Sequence, residues 1–74
     1  MPPVARRTAE YARFLRRLRA AREKAGLTQA ETARRLGKGQ AYVWKSEVGE
    51  RRVDAIELKE FAKIYGVAIT FFYE

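Results

Sequence analysis

GLTQAETARRLGKGQAYVWKSEVGE, residues 26–50, is the stretch of the sequence that decides the fold. Within it, Thr28 is followed three residues later by Glu31, the spacing of a capping box. In such a box each side chain accepts a hydrogen bond from the backbone N–H of the other residue, which satisfies donors that a helix start leaves unpaired. The pattern therefore predicts a helix that begins at Gln29.

Two glycines predict where the helices of this stretch end. Gly37 follows the apolar residue that closes the first pattern, and glycine adopts the positive φ of a helix C-terminus without a Cβ clash. A second short helix is expected over residues 40–48, and Gly49 ends it. Residues 28–48 are thus predicted to form two helices joined by a glycine turn.

The flanking segments predict two more helices. Residues 9–25 are rich in Ala, Leu, Arg and Glu and carry one apolar face and one basic face. Asp54 and Glu57 repeat the capping signal, and the apolar periodicity that follows ends at Gly66. The first of these helices also fits a basic amphipathic membrane helix. The capped helices after it favour a packed, all-α domain, because they need a face to pack against.

The ends of the chain differ in character. Residues 1–7 hold two prolines and two arginines without periodicity, which predicts a flexible arm before a single domain over residues 8–74. The final segment, residues 67–74, is too apolar for a solvated tail. We expect it either to close the core or to contact a second copy of the chain. The residues expected to do so are Ile69, Phe71, Phe72 and Tyr73.

Composition limits the possible functions. The chain has 74 residues and a net charge of +7, with +9 in residues 1–52 and −2 in residues 53–74, a distribution that suits contact with a polyanion. It has no cysteine and no histidine, so we expect no disulfide, no Cys/His metal site and no cofactor. The usual catalytic nucleophiles and proton carriers are missing as well, which argues against an enzyme. With no membrane-spanning apolar run, a cytoplasmic protein is expected.

Residues 17–67 resemble the helix-turn-helix family of phage repressors, Cro proteins and their small bacterial relatives (XRE-type). Leu27-Thr28-Gln29, the Ala33 and Gly37 pair, the Glu47-x-Gly49 ending and the 58–66 helix carry the resemblance. The resemblance implies a compact bundle of about five helices, encoded by a bacterium or phage, whose third helix lies in the major groove. It further implies a homodimer on a pseudo-palindromic operator, acting as a repressor and bound to the nucleoid.

The resemblance also implies which residues contact DNA. Gln29 matches a position that holds a phosphate at a helix N-terminus. Gln40 matches a base-contacting position, where glutamine can pair with adenine. Ala41 and Lys45 match the other groove-facing positions and suit a thymine methyl and a guanine, respectively. Tyr42 matches a position that often meets the DNA backbone.

Four further residues have roles that the resemblance or the charge pattern suggests. Arg22 and Glu47 match a structural ion pair between the first and third helices. Arg51 and Arg52 either bind phosphate or only solubilise a loop, and the sequence leaves both possibilities open.

Three residues depart from the family pattern. Thr32 and Ser46 stand where apolar core residues are usual, and Trp44 stands where a small polar residue is usual. The favoured interpretation is that Trp44 turns inward and fills the space left by Thr32 and Ser46. The alternative is an exposed anchor for DNA or for a protein partner.

Two functions therefore compete. The leading hypothesis is a sequence-specific regulator of transcription that binds double-stranded DNA as a homodimer. The other is a protein-interaction module on the same fold, such as an antitoxin or adaptor, because a fold does not decide its function.

Overall fold

The computed structural model describes residues 8–74, which contain four α-helices, one short 3₁₀ helix and no strand. The helices are α1 (Ala9–Lys24), α2 (Gln29–Leu36), α3 (Gln40–Val48), α4 (Ala55–Tyr65) and the C-terminal 3₁₀ helix (Ile69–Tyr73). The arm predicted for residues 1–7 lies outside the described residues. In the described part of the chain, none of the helices has the length and apolar character needed to cross a membrane.

Both predicted capping boxes are present, so the predicted starts of α2 and α4 are confirmed. The Glu31 N–H donates to Thr28 Oγ1 at 3.0 Å, and the Thr28 N–H donates to Glu31 Oε1 at 2.8 Å. At α4 the Glu57 N–H donates to Asp54 Oδ1 at 2.8 Å, and the Asp54 N–H donates to Glu57 Oε1 at 3.0 Å. Each box gives hydrogen-bond acceptors to backbone N–H groups that the start of a helix otherwise leaves unpaired.

The turn between α2 and α3 depends on Gly37. This residue has φ 72°, and the Lys38 N–H behind it donates to the Ala33 carbonyl at 2.8 Å. Such a closure satisfies carbonyls that the helix end leaves free, and the left-handed backbone favours glycine. Gly49 ends α3 in the same conformation, with φ 87°. Both predicted helix ends are therefore confirmed.

The expected count of about five α-helices is slightly wrong. After Gly66 caps α4, the chain runs extended to Ala68 and then forms the 3₁₀ helix of 5 residues. A segment this short cannot repay the cost of nucleating an α-helix, and its β-branched and aromatic residues have low helix propensity. The tighter 3₁₀ turn is common in such short pieces.

The core lies where α1 packs against α3, α4 and the 3₁₀ helix. Its largest fully buried side chains include Phe61, Phe72 and Leu18. Phe14 of α1 meets Phe72 edge to face, with ring centroids 6.1 Å apart. This packing holds α1 and α4 together and leaves one side of α3 in solvent.

Candidate functional site

The outer side of α3 is a continuous exposed stripe. Its residues follow the spacing i, i+1, i+4, i+5 and i+8, which places them within an arc of about 140° at 100° per residue. They are Gln40, Ala41, Trp44, Lys45 and Val48, and we call them the α3 stripe. For Gln40, Ala41 and Lys45 the family resemblance implied DNA contact, and for Trp44 contact with DNA or a protein partner was the alternative interpretation.

The opposite side of α3 anchors the helix in the protein. Val43 and Ser46 are fully buried, and Glu47 is 9% exposed. The Ser46 hydroxyl donates to the Tyr42 carbonyl at 2.8 Å, which satisfies a buried polar group within the helix itself. Ser46 of α3 and Thr32 of α2, which stand where the family usually has apolar core residues, are thus both buried.

The favoured interpretation of Trp44 is wrong. Its side chain does not turn inward, since the residue is 43% exposed while Thr32 and Ser46 are completely buried without it. The physical reason is helix geometry: Trp44 lies on the far side of α3 from Ser46, about 160° away at 100° per residue. Trp44 therefore belongs to the α3 stripe.

A chain of polar contacts leads from the protein interior to the α3 stripe. Arg22 of α1 donates through Nε to Glu47 Oε2 at 2.6 Å, and Gln29 Nε2 donates to Glu47 Oε1 at 3.0 Å. Gln40 Nε2 then donates to Gln29 Oε1 at 3.4 Å. The first residues of α2 and α3 are thereby positioned relative to one ion pair.

The ion pair that starts this chain is largely buried. The side chains of Arg22 and Glu47 are 12% and 4% exposed, and Arg22 Nη1 also donates to the Leu27 carbonyl at 3.0 Å. The hydrogen bond to Glu47 raises the pKa of Arg22 above its ordinary value, against the opposing effect of burial. This pair connects α1 to α3, as the family resemblance implied.

The Tyr42 ring packs against other residues of the protein, although its predicted role was contact with the DNA backbone. Its ring stacks on Phe61, with centroids 6.4 Å apart and planes inclined by 23°. The guanidinium carbon of Arg51 lies 4.0 Å from the centroid, and Lys38 Nζ lies 5.3 Å from it. Burial raises the pKa of Tyr42. The half-buried ring therefore lies between the core and two cations.

The two arginines of the loop before α4 differ. Arg51 forms an ion pair with Glu57, donates to Ser46 Oγ at 3.4 Å and covers the Tyr42 ring. The hydrogen bond from Arg51 lowers the pKa of Glu57. Arg52 is exposed, with its guanidinium carbon 5.8 Å from the Tyr11 ring. Arg51 thus stabilises the α3–α4 junction, whereas Arg52 is open to solvent.

The apolar C-terminus folds back onto α1. Phe72 is 1% exposed, and Phe71 is half-buried. Arg17 donates through Nε to the Phe71 carbonyl at 2.9 Å, and its guanidinium carbon lies 3.8 Å from the Phe71 ring centroid. Ile69 and Tyr73 remain 40% and 64% exposed. Core closure is therefore the role of Phe71 and Phe72.

A cleft of about 400 Å³ lies beside the exposed Tyr73. The start of α1, the start of α4 and the 3₁₀ helix line it, and Tyr11, Phe14 and Val53 contribute apolar surface. The Tyr11 hydroxyl accepts a hydrogen bond from the Val53 N–H at 3.2 Å, which connects α1 to the loop before α4.

Sequence reasoning missed one member of the α3 stripe and one connection. Val48 is 40% exposed and extends the stripe by one turn beyond Trp44. Its spacing of four residues from Trp44 was the signal that could have identified it. The contact between Gln29 and Gln40 had no such signal, because it requires the angle between two helices.

A family model described as a helix-turn-helix domain matches residues 10–70, which include all four α-helices almost entirely. No curated protein matches the chain.

Proposed function

Because the chain belongs to the helix-turn-helix domain family, we propose that it is a sequence-specific DNA-binding regulator whose α3 enters the major groove. The observation that carries this proposal is the α3 stripe, which combines Gln40 and Lys45 on the solvent side of a helix anchored by its other side. A helix that is exposed along one face and held rigidly along the other suits insertion into a groove.

The proposed roles follow from chemistry and position. Gln40 pairs with adenine, Lys45 donates to guanine, and Ala41 meets a thymine methyl. Gln29 holds a phosphate at the N-terminus of α2, and its contact with Gln40 orients the adenine-binding amide. Arg52 adds a phosphate contact. Arg51 packs on the Tyr42 ring behind the groove-facing residues. We expect both side chains to lie within reach of the DNA backbone.

The proposed assembly is a homodimer that acts as a repressor. Two copies related by two-fold symmetry would bind half-sites about 34 Å apart, one turn of the double helix. The exposed Ile69 and Tyr73 are the residues we propose for the contact between copies.

Selection of duplexes from a randomised pool at near-physiological salt tests the proposal. We expect a pseudo-palindrome with half-sites about one helical turn apart to be enriched. A pool without any enriched sequence contradicts a sequence-specific regulator.

Lys45→Ala tests the groove-facing position on the enriched duplex. We expect a loss of about 1 to 3 kcal/mol of binding free energy if Lys45 contacts a guanine. Lys59→Ala is the matched control, because it removes the same charge from an exposed position on α4. Titrations at constant salt measure both variants. Equal losses for the two would mean that Lys45 acts only through net charge.

The second candidate function is a protein-interaction module, and the cleft beside Tyr73 is the observation that favours it. An exposed aromatic residue beside a cleft that combines apolar residues with charged ones, here Glu10, Arg13 and Asp54, is a feature of interfaces. Co-purification with a stable partner that Tyr73→Ala abolishes, combined with weak and unselective DNA binding, would favour this function over the first.

A further inference from the structure

The centre of the α3 stripe is apolar. At 100° per residue, Trp44 and Val48 lie at about 40° and 80° from Gln40, while Lys45 lies at about 140°. The two polar residues therefore form the edges of the stripe, and Trp44, Val48 and Ala41 form the area between them. Trp44 is 43% exposed and Val48 is 40% exposed.

This apolar centre cannot be buried within the domain. The inner face of α3 is already occupied by the fully buried Val43 and Ser46. Removal of exposed indole and isopropyl groups from water by a ligand lowers the free energy, because apolar surface is hydrated unfavourably. Binding of a ligand that brings apolar groups to the α3 stripe is therefore favourable.

The surroundings of the stripe favour DNA over a protein partner. Residues 1–52, which include all of α3, carry a net charge of +9, complementary to a polyanion. Two large apolar side chains edged by Gln40 and Lys45 cover far less than the roughly 800 Å² that each partner of a stable protein complex buries. One helix face is, by contrast, the surface that a major groove admits.

The major groove contains one apolar group among its base edges, the C5-methyl group of thymine. We propose that Trp44 and Val48 determine specificity by contacting thymine C5-methyl groups beside the bases that Gln40 and Lys45 bind. This inference rests on the proposed DNA-binding function and deepens it. It predicts that each half-site contains thymines that the protein recognises by their methyl groups alone.

Deoxyuridine substitution tests the proposal without altering the protein. Each thymine of the enriched duplex is replaced in turn by deoxyuridine, which removes the methyl group and keeps every hydrogen-bonding group. At one or two positions per half-site we expect about a fourfold loss of affinity, the effect of one buried methyl-sized group. A second comparison uses duplexes in which a C·G pair replaces T·A at the same position: the 5-methylcytosine version, which restores the methyl group, should bind more tightly than the cytosine version by a similar factor.

Protein variants assign the effect to residues. Trp44→Ala and Val48→Ala should each bind the thymine and deoxyuridine duplexes equally at the position that the residue contacts. Ile56→Ala is the control, since Ile56 is 65% exposed on α4 and should leave the deoxyuridine penalty unchanged. Thermal melting checks that each variant is folded.

Fluorescence provides an independent measurement on the unmodified protein. Trp44 is the only tryptophan in the sequence, so quenching by acrylamide reports on this side chain alone. Binding of the enriched duplex should protect it from the quencher.

Three outcomes would overturn the inference. Absence of any deoxyuridine penalty, with a sequence still enriched, rejects every methyl contact, including the one proposed for Ala41, and leaves the proposed sequence-specific DNA binding intact. A Trp44 that stays fully quenchable on the bound duplex rejects it too, because the indole then does not contact the DNA. If the pool yields no enriched sequence, the proposed function fails first, and the inference fails with it.

Discussion

Tyr65 and Thr32 place two hydroxyl groups inside the core. Among residues 8–74, neither hydroxyl finds a hydrogen-bond partner of good geometry. Burial raises the pKa of Tyr65 to about 12, and the nearby Thr32 hydroxyl lowers it in part. A buried hydroxyl without a good partner costs free energy, so this pair weakens the fold locally.

Tyr65→Phe should change how stability depends on alkaline pH. The pKa of Tyr65 in the folded protein is above the ordinary value of about 10. The hydroxyl is therefore neutral in both the folded and the unfolded protein below about pH 10, and its ionisation does not affect stability there. Between about pH 10 and 12 the unfolded chain ionises first, and the wild type loses roughly 2 to 3 kcal/mol that Tyr65→Phe should retain. Urea unfolding across this pH range measures the difference.

Tyr73→Phe is the control for this experiment, since Tyr73 is 64% exposed and the variant should keep the wild-type alkaline loss. At neutral pH, Tyr65→Phe should be as stable as the wild type or slightly more stable. A marked loss at neutral pH would show that the hydroxyl makes a stabilising hydrogen bond.

At the scale of the elements, two equivalent capping boxes begin two helices that have different roles. Thr28 starts α2, which carries Gln29 and packs against α3. Asp54 starts α4, which carries core residues. The pair allows helix stability and the proposed DNA contact to be separated.

Thr28→Ala and Asp54→Ala should each lower the free energy of unfolding by about 1 kcal/mol, because each leaves helix N–H donors unpaired. Only Thr28→Ala should also weaken binding of the enriched duplex, since it loosens the turn that holds Gln29. Unfolding and binding titrations on both variants measure the two effects. If affinity falls equally in both, the N-terminus of α2 has no special role in the complex.

The stability of the whole molecule depends on its last residues. The 3₁₀ helix packs on α1 and α4 and contributes Phe72 to the core. Arg17 adds a hydrogen bond to Phe71, an ion pair to Glu74 at 3.2 Å and a cation–π contact. A domain of this size has only about 4 to 11 kcal/mol of stability in total. Closure of the core by the C-terminus is therefore a large fraction of what keeps the protein folded.

Phe72→Ala should cost about 3 to 5 kcal/mol, because it leaves a cavity in the core. Thr70→Ala, at an exposed position of the same 3₁₀ helix, should change the free energy of unfolding by less than about 0.5 kcal/mol. Urea denaturation compares the two. A Phe72→Ala protein as stable as the wild type would mean that the terminal segment is not docked in solution.

The sequence by itself determined the helices and their ends. A capping box joins residues three apart, and a glycine C-cap acts within one turn, so these signals are complete in the local sequence. The predicted bounds of α2 and α3 agree with the structure for that reason. The Arg22 and Glu47 pair came from the family resemblance and could not be derived from local spacing.

Only the tertiary structure decided the chain of contacts from Glu47 through Gln29 to Gln40 and the packing of the C-terminus on α1. Each depends on contacts between segments that are distant along the chain; Arg17 and Phe71, for example, are 54 positions apart. Local propensity carries no information on the angle at which two helices cross. The outward direction of Trp44, by contrast, follows from helical spacing once Val43 and Ser46 are placed on the inner face of α3.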